Sequence, residues 1–416
     1  MMKSWTYKSA FDSYLGMFAV VMIVFPKLVA LAVLPIVGFI VYGVRKKVVE
    51  FKFSWIAAFF MLFYIAYAIG VLYTNHEDIA FKYLEYKLSF FITPILLSFR
   101  YKEGTFSLSK IAAGLIIAVV ISGVYGIINA SLCYMDEGTW GCFLTGTISP
   151  LHHPSYFMSF IVVAMVIAWI GVRRKWKGYR LLWVIPFTLF GFGFHIMSLS
   201  LAGVLFLLLT LGITVLYIIY RKWGWIATSI SVIIVPIVGY MFIMGVPQIE
   251  GEWNGAKWYA EEYFKDSEKF VRETEFPMAG SAERLIMWTV SIDEFQEHPL
   301  GVGTGNLDEV LGARLRDLNQ PELADKALNP HNQFIQTAVE IGVFGLIILV
   351  IIMLYAVYVA YKERNGLLLL IVGNLMFNSL FESMLQRQSG VVFFTFWICL
   401  LVIHRGMLAR KERVIE

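Results

Sequence analysis

The chain has 416 residues, of which 59% are hydrophobic, 16% aromatic and only 15% charged, and its mean hydropathy is +0.70. That composition excludes an ordinary soluble domain, and a net charge of +4 offers no basic surface on which to expect a nucleic-acid partner. Apolar runs long enough to cross a ~30 Å hydrocarbon core recur along almost the whole chain without the alternation of an outer-membrane barrel, so the expected fold class is all-α, a polytopic membrane protein.

In chain order, twelve spans are expected at roughly 12–26, 28–44, 55–73, 84–99, 107–128, 155–172, 181–197, 200–220, 225–244, 342–361, 366–381 and 391–408. Between the first two, Pro26 and Lys27 interrupt one continuous run and mark either a hairpin or a break. Basic clusters fall on one side of this layout: 45–47, 100–102, 173–180, 221–222, 362–364 and the tail 410–413. By the positive-inside rule that side is the cytoplasm, so both termini are expected there, in a cytoplasmic membrane. Lys27, Lys82, Lys87 and Arg387 are the basic residues left in short outer connections. No cleavable signal peptide is expected, because the N-terminal run lacks a small-residue cleavage site. Cys133 and Cys142 share an outer loop, where a disulfide and two free thiols are both open readings, and Cys399 is expected inside the last span. His152 and His153 lack the spacing and carboxylate partners of a zinc site, and no metal motif stands elsewhere.

Three parts follow: helices 1 to 9 over 1–244, an outer segment over 245–332, and helices 10 to 12 over 333–416. The outer segment carries seventeen acidic against eight basic residues, a balance read as a solvated face. Its aromatics Trp253, Trp258, Tyr259 and Tyr263 suit interfacial anchoring better than a sugar platform. A helix is expected from Ser281 as N-cap, with Leu285, Trp288, Ile292 and Phe295 on its apolar face. Arg284 then stands in a first turn, where the helix dipole disfavours a cation unless an anion binds beside it, although pairing with Glu283 or Asp293 is a plainer reading. His331 is expected in another first turn, with Asn329 as N-cap and Pro330 at the first helical position. The positive end of that helix disfavours imidazolium, leaving His331 neutral and able to accept a proton as a general base. A purely structural histidine is the competing reading. Asn332, Gln333, Gln336, Thr337 and Glu340 form a polar face on this helix.

The motif "HNQFIQTAVEIGVFG" at 331–345 resembles the signature of the O-antigen ligase and polymerase superfamily: His-Asn, nine residues, Gly342, two residues, Gly345, after a large outer loop and before a late span. Upstream, "RLIMWTVSIDEFQEHPLGVGTGN" at 284–306 is similar to that family's loop, and weaker likenesses cover 84–96, "HPSY" at 153–156 and "FESMLQRQSGVVFF" at 381–394. The resemblance implies a membrane glycosyltransferase of the GT-C type with no nucleotide sugar, metal or other cofactor. Its donor would be a glycan on undecaprenyl diphosphate and its acceptor a hydroxyl of lipid A-core, at the periplasmic face and among membrane lipids.

In that setting His331 would be the base and Arg284 would hold the diphosphate, with Asn332, Gln336, Glu340, His153 and Tyr156 lining the substrate site. The family commonly has a second basic residue at the outer end of a middle span; here Leu201 takes that place, so Arg387 or Lys87 is expected to substitute. "GVGTG" at 301–305 lacks a preceding strand and is read as shaping the loop, not as a dinucleotide site. Polymerase and protein O-oligosaccharyltransferase activities use similar donors and stay open. A transporter of lipid-linked sugars is the competing class, disfavoured because no inverted repeat is visible and the polar content gathers in one loop.

Overall fold

The computed structural model describes residues 2–275 and 277–405. Two antiparallel helices open the chain, α1 (Met2–Val24) and α2 (Val29–Arg45), joined by a short 3-10 turn at Pro26–Leu28. Tyr7 Oη donates to Phe39 O at 2.7 Å and Tyr14 Oη to Ala32 O at 2.9 Å, a pairing only a hairpin produces. Proline stops α1 because its ring clashes with the preceding turn and it offers no N–H.

Next come α3 (Trp55–Gly70), α4 (Glu77–Lys87) and α5 (Ser89–Leu97). Where the sequence predicts one span over 84–99, the backbone breaks at Leu88, and Lys87 ends the polar α4. A two-stranded antiparallel ribbon pairs β1 (Val49–Phe51) with β2 (Phe99–Tyr101) in the register Glu50 to Arg100, an exception to the all-α expectation.

The long α6 (Leu108–Glu137) packs along α1, and α7 (Pro154–Arg173) and α8 (Leu181–Met197) follow. Helix α9 (Leu201–Met244) runs for 44 residues, about 66 Å if straight and twice a bilayer. It is not straight. Gly224 turns the chain at φ 79°, and Val235 lies 3.0 Å from the Cβ position of Gly212, so two antiparallel arms meet and the expected spans 200–220 and 225–244 are its two halves.

Seven described helices are long and apolar enough to cross a membrane, and α8, α16 (Gly366–Asn378) and α17 (Gln388–Ile403) are shorter apolar helices. Residues 406–408 of the twelfth expected span and the basic tail at 410–413 lie outside the described residues.

Between α9 and α15 (Gln333–Lys362) stand α10 (Pro247–Lys265), α11 (Ser267–Glu273), α12 (Gly280–Glu297), α13 (Leu307–Asp317) and α14 (Pro321–Asp325). These helices have their own apolar core of Ile286, Met287, Val290, Leu311 and Leu315, closed by Val339 of α15. The fully buried apolar residues of α12 are Ala282, Ile286, Met287 and Val290; of the expected Leu285, Trp288, Ile292 and Phe295, Leu285 and Phe295 pack partly buried against this core and Ile292 is exposed. Tyr259 and Tyr263 pack partly buried on this core, Trp253 packs against α9, and Trp258 alone of the four is exposed.

One interlock joins this segment to the bundle. Helix α15 is broken at Ile341 and Gly342, where Gly342 has φ 73°. The backbone at 299–303 lies across the break: Val302 N donates to Val339 O at 2.8 Å, Gly303 N to Glu340 O at 3.1 Å, and Val343 N to Pro299 O at 2.9 Å. Groups that an unbroken helix would pair internally are thereby satisfied by the loop. Gly301 and Gly342 meet backbone to backbone, so a Cβ on Gly342 would overlap Leu300. The glycine-rich stretch is therefore a strap, as its shape-giving reading expected.

All of the basic clusters within the described residues that pack together do so at one end of the bundle. The ribbon joins 49–51 to 99–101, His404 bonds Leu97 O at 2.9 Å, and Tyr179 Oη bonds Ser109 O at 2.9 Å. At the opposite end Cys133 and Cys142 form a disulfide, which settles the reading left open by the sequence, and Cys399 is buried in α17.

Substituting Gly342 by Ala is expected to cost about 2 kcal/mol or more, because it adds both strain at positive φ and overlap with Leu300. Thermal unfolding of the detergent-purified protein measures this; Gly366→Ala, at a site with open space, is the matched control that leaves the midpoint in place.

Candidate functional site

At the end of the bundle that carries the disulfide, three connections converge. The first is the loop 379–387 between α16 and α17, fixed by a set of polar anchors. Gln333 N donates to Ser379 O at 2.8 Å, Leu385 N to Gln333 Oε1 at 2.6 Å, and Tyr156 Oη to Ser383 O at 2.7 Å. Asn332 Nδ2 reaches Leu380 O at 3.2 Å, and Ser383 Oγ reaches Asn329 Oδ1 at 3.2 Å. A loop held this way has no freedom to move its side chains independently of α15 and α7.

The second connection precedes α15. Asn332, not Asn329, is the N-cap, its Oδ1 accepting from Phe334 N at 3.0 Å and Ile335 N at 3.1 Å. His331 is therefore outside the helix, and the dipole argument for its neutrality does not apply. Its backbone is left-handed at φ 47°, a conformation costing a non-glycine residue about 1–2 kcal/mol, and Asn329 Oδ1 holds it there by accepting its N–H at 2.9 Å. The third connection leads into α7, where Pro154 occupies the first turn and His153 precedes it.

These connections meet at Glu382. Its carboxylate is buried at 4% exposure, 3.3 Å from His331 Nδ1 and 3.6 Å from His153 Nδ1. Burial alone would push the carboxyl up. The hydrogen bond and charge of His331, with the charges of His153 and Arg284, outweigh it and hold Glu382 at about 2. Burial lowers His153 more than Glu382 raises it, with Arg387, His331 and Arg284 also lowering it, so that imidazole is neutral at pH 7. Arg284 stands in the second turn of α12, since Ala279 and not Ser281 is the cap, and its Nη1 reaches Gly280 O at 3.5 Å. Its Nε is buried without a hydrogen-bond partner among the described residues. Arg387, the exposed N-cap residue of α17, acts on His153 and Tyr156 from the other side.

Thus His331, Arg284, Arg387, His153 and Tyr156 are brought together. Glu382 is the residue that sequence reasoning missed; its only signal was its place in the "FESMLQRQ" stretch. Gln336, Glu340 and Lys87 go elsewhere: all are fully buried, and the polar face from Gln333 to Glu340 is closed inside the protein instead of lining an open cavity. Lys87 Nζ donates to Gln386 Oε1 at 2.8 Å, lies 4.4 Å from the Tyr67 ring centre, and interacts with the Glu340 charge. Of the adjacent histidines, His152 is structural, held by Ile23 O at 2.7 Å and Ser389 Oγ at 3.0 Å.

Among the described residues two groups have ligand-like spacing for a cation, and both are already engaged. Cys133 and Cys142 are disulfide-bonded beside Glu137; Glu294 and Glu297 pair with Arg314, whose Nε lies 3.0 Å from Glu294, and His298 pairs with Glu294 at 2.7 Å.

Acid should loosen this site in two stages. His153, neutral when folded, costs stability as pH falls below its ordinary 6.5, because the unfolded chain binds a proton that the folded one resists. Glu382 contributes stability that is complete above its ordinary 4.5 and lost as pH falls toward about 2. Thermal midpoints measured from pH 7.5 to 3 should fall throughout, and Glu382→Gln should remove the part of the decline below pH 4.5.

Comparison with known proteins gives one informative match: residues 186–350, from within α8 to the middle of α15, match the family model described as O-antigen ligase. No curated protein is similar enough to count as a match. The matched segment contains Arg284, the strap and His331, the stretch whose motifs pointed to the same family. The match supports an O-antigen ligase family assignment, and with it a ligase- or polymerase-type membrane glycosyltransferase function in general, acting on a lipid-linked glycan and a lipid acceptor.

Proposed function

We propose that this protein is an O-antigen ligase, transferring a glycan from undecaprenyl diphosphate to a hydroxyl of lipid A-core at the periplasmic face of the bacterial cytoplasmic membrane, with both termini in the cytoplasm. The observation that carries the reading is the convergence of His331, His153 and Arg284 on one buried carboxylate at a helix-bundle end, with Arg387 acting on His153 beside it.

Two features support the side of the membrane. The Cys133–Cys142 disulfide lies in the connection that leads to His153, and disulfides persist on the oxidising side. The ribbon that joins the chain just after the 45–47 cluster to the 100–102 cluster lies at the opposite end, in keeping with the positive-inside rule for a cytoplasmic face.

In the reaction His331 takes the proton of the acceptor hydroxyl as its oxygen attacks the anomeric carbon. The bond from that carbon to the phosphate oxygen breaks, and its electron pair leaves on undecaprenyl diphosphate. Arg284 and Arg387 face that growing charge, and a guanidinium suits it through paired N–H donors. Arg387 thereby supplies the second positive charge that the family carries where this chain has Leu201. Lys87 donates to Gln386, next to Arg387, and so acts on the diphosphate through that loop. Gln336 and Glu340 form the buried support of Lys87, and Asn332 and Tyr156 hold the loops that frame the substrates. No metal is required by this chemistry, because both the base and the positive charge are side chains.

Transfer by the purified full-length protein, measured with EDTA present, is expected with lipid A-core and not with a second lipid-linked repeat or a pilin-like protein. His331→Ala and Arg284→Ala are each expected to lower turnover by roughly 10²- to 10³-fold while remaining folded. Transfer only to the lipid-linked repeat would assign a polymerase, and transfer only to protein an O-oligosaccharyltransferase. Movement of the lipid-linked glycan across vesicles without any acceptor would assign a transporter.

A further inference from the structure

Glu382 is nearly as buried as the hydrophobic core around it, ionised, and in contact with the ring of the histidine to which the proposed function gives the proton. Its two oxygens are divided unevenly. Oε1 accepts Ser383 N at 3.0 Å, and both oxygens lie 3.3 Å from His331 Nδ1. The imidazole side chain is 19% exposed, and its Nε2 makes no hydrogen bond among the described residues. A carboxylate beside Nδ1 accepts only from an Nδ1–H, so it selects the tautomer whose Nε2 lone pair is open.

We propose that Glu382 is a positioning residue for His331: it fixes the ring with the proton on Nδ1, so that Nε2 is the atom that takes the acceptor's proton, and it balances the imidazolium that results. This rests on the proposed role of His331 and adds the atom and the partner.

In the step itself, the hydroxyl oxygen forms its bond to the anomeric carbon, its proton moves to Nε2, and the bond to the diphosphate breaks with its electrons on the leaving group. The Nδ1 proton stays between His331 and Glu382 throughout. Glu382, held at about 2, is too weak a base to receive it at neutral pH. The same low value lets the carboxylate keep its charge while two imidazoles and Arg284 face it. The charged or titratable groups around it are His331 ahead of α15, His153 ahead of α7, Arg284 of α12, Tyr156 of α7 and Arg387 ahead of α17. His153 faces the carboxylate from the second side, its Nδ1 at 3.6 Å and without a hydrogen bond, so the oriented contact is that of His331.

The reason the position needs an acid is visible in its substitutions. A glutamine there offers an amide N–H to Nδ1 as readily as a carbonyl oxygen, which favours the opposite tautomer and closes Nε2 with the proton. An aspartate keeps the charge and shortens the reach by one methylene.

The test measures transfer from undecaprenyl-diphosphate-linked glycan to lipid A-core as kcat, donor KM and a rate profile from pH 5 to 9. The native full-length protein is compared with Glu382→Gln, Glu382→Asp and His331→Ala, each also followed by thermal unfolding. Glu382→Gln is expected to lower kcat by roughly 10²- to 10⁴-fold with donor KM within about two-fold of native, the range over which a base and its orienting acid act. Its residual rate should show an acid limb at lower pH, because the imidazolium has lost its counter-charge. Glu382→Asp should recover at least about ten-fold of the loss and keep the native limb.

Native kcat in Glu382→Gln beside an inactive His331→Ala would overturn the proposal and leave the transferase reading standing. So would equal losses in the Gln and Asp variants with the acid limb unmoved, which is the mark of a merely structural residue. Should Glu382→Gln fail to fold, Glu382→Ala takes its place: native kcat would overturn the proposal, as would a loss with the acid limb unmoved, and a loss with the limb at lower pH that Glu382→Asp restores would uphold it. Full activity in His331→Ala would instead remove the role of His331 on which the proposal rests.

Discussion

Everything at the site depends on a break in one helix. An unbroken α15 would carry residues 333–340 straight into the apolar span, with the backbone groups at Val339, Glu340 and Val343 paired internally. Gly342 turns the chain instead, and the strap at 299–303 takes over those bonds. Because the strap follows α12 directly, the short first piece of α15 is locked to the helix that carries Arg284, while Gln333 on that same piece holds the loop that carries Glu382 and Arg387. Arginine, histidine and carboxylate are thus referred to one small rigid body. Neither glycine at the crossing can be replaced without pushing two backbones apart.

The distribution of polarity follows from that arrangement. Buried polar side chains are expensive unless paired, and here they are spent on holding loops: Asn332, Gln333, Tyr156 and Lys87 each bond to residues 380–386. The motif residues that a sequence reader assigns to substrate are in large part structural. What remains open to a ligand is a smaller set in which the positive charges outnumber the single carboxylate, a field suited to an anion and not to a neutral sugar.

Most of the membrane architecture was legible from apolar run length and the placement of Lys and Arg, which bilayer thickness and topology constrain strongly. The interruptions at Pro26 and Gly224 were legible too, as a proline and a basic pair in apolar runs, with a hairpin and a break both open at Pro26. Helix starts were not, because Asn329 and Ser281 have the chemistry of caps but tertiary bonds moved the true boundaries to Asn332 and Ala279. The apolar face of α12 was legible in part, through Leu285 and Phe295, while its buried centre includes Glu294, paired with Arg314 and His298, which no periodicity of apolar residues can announce. His331, Arg284 and Arg387 could be suspected from local context. Glu382 could not, since a carboxylate gains its meaning only from histidines 51 and 229 positions away.

The chemistry-bearing side chains of this cluster sit largely in connections: His331 ahead of α15, His153 ahead of α7, Glu382 and Arg387 ahead of α17. The lipid-facing surfaces of the bundle, by contrast, are long apolar stretches of α2, α8 and α9 with exposed residues such as Leu34, Leu182 and Ile233. Selection on bilayer thickness and selection on glycan chemistry therefore act on separate parts of the molecule. A descendant can adapt to a thicker or more fluid membrane by exchanging one apolar residue for another along those outer faces, with little consequence for the arrangement of carboxylate, imidazole and guanidinium at the end of the bundle.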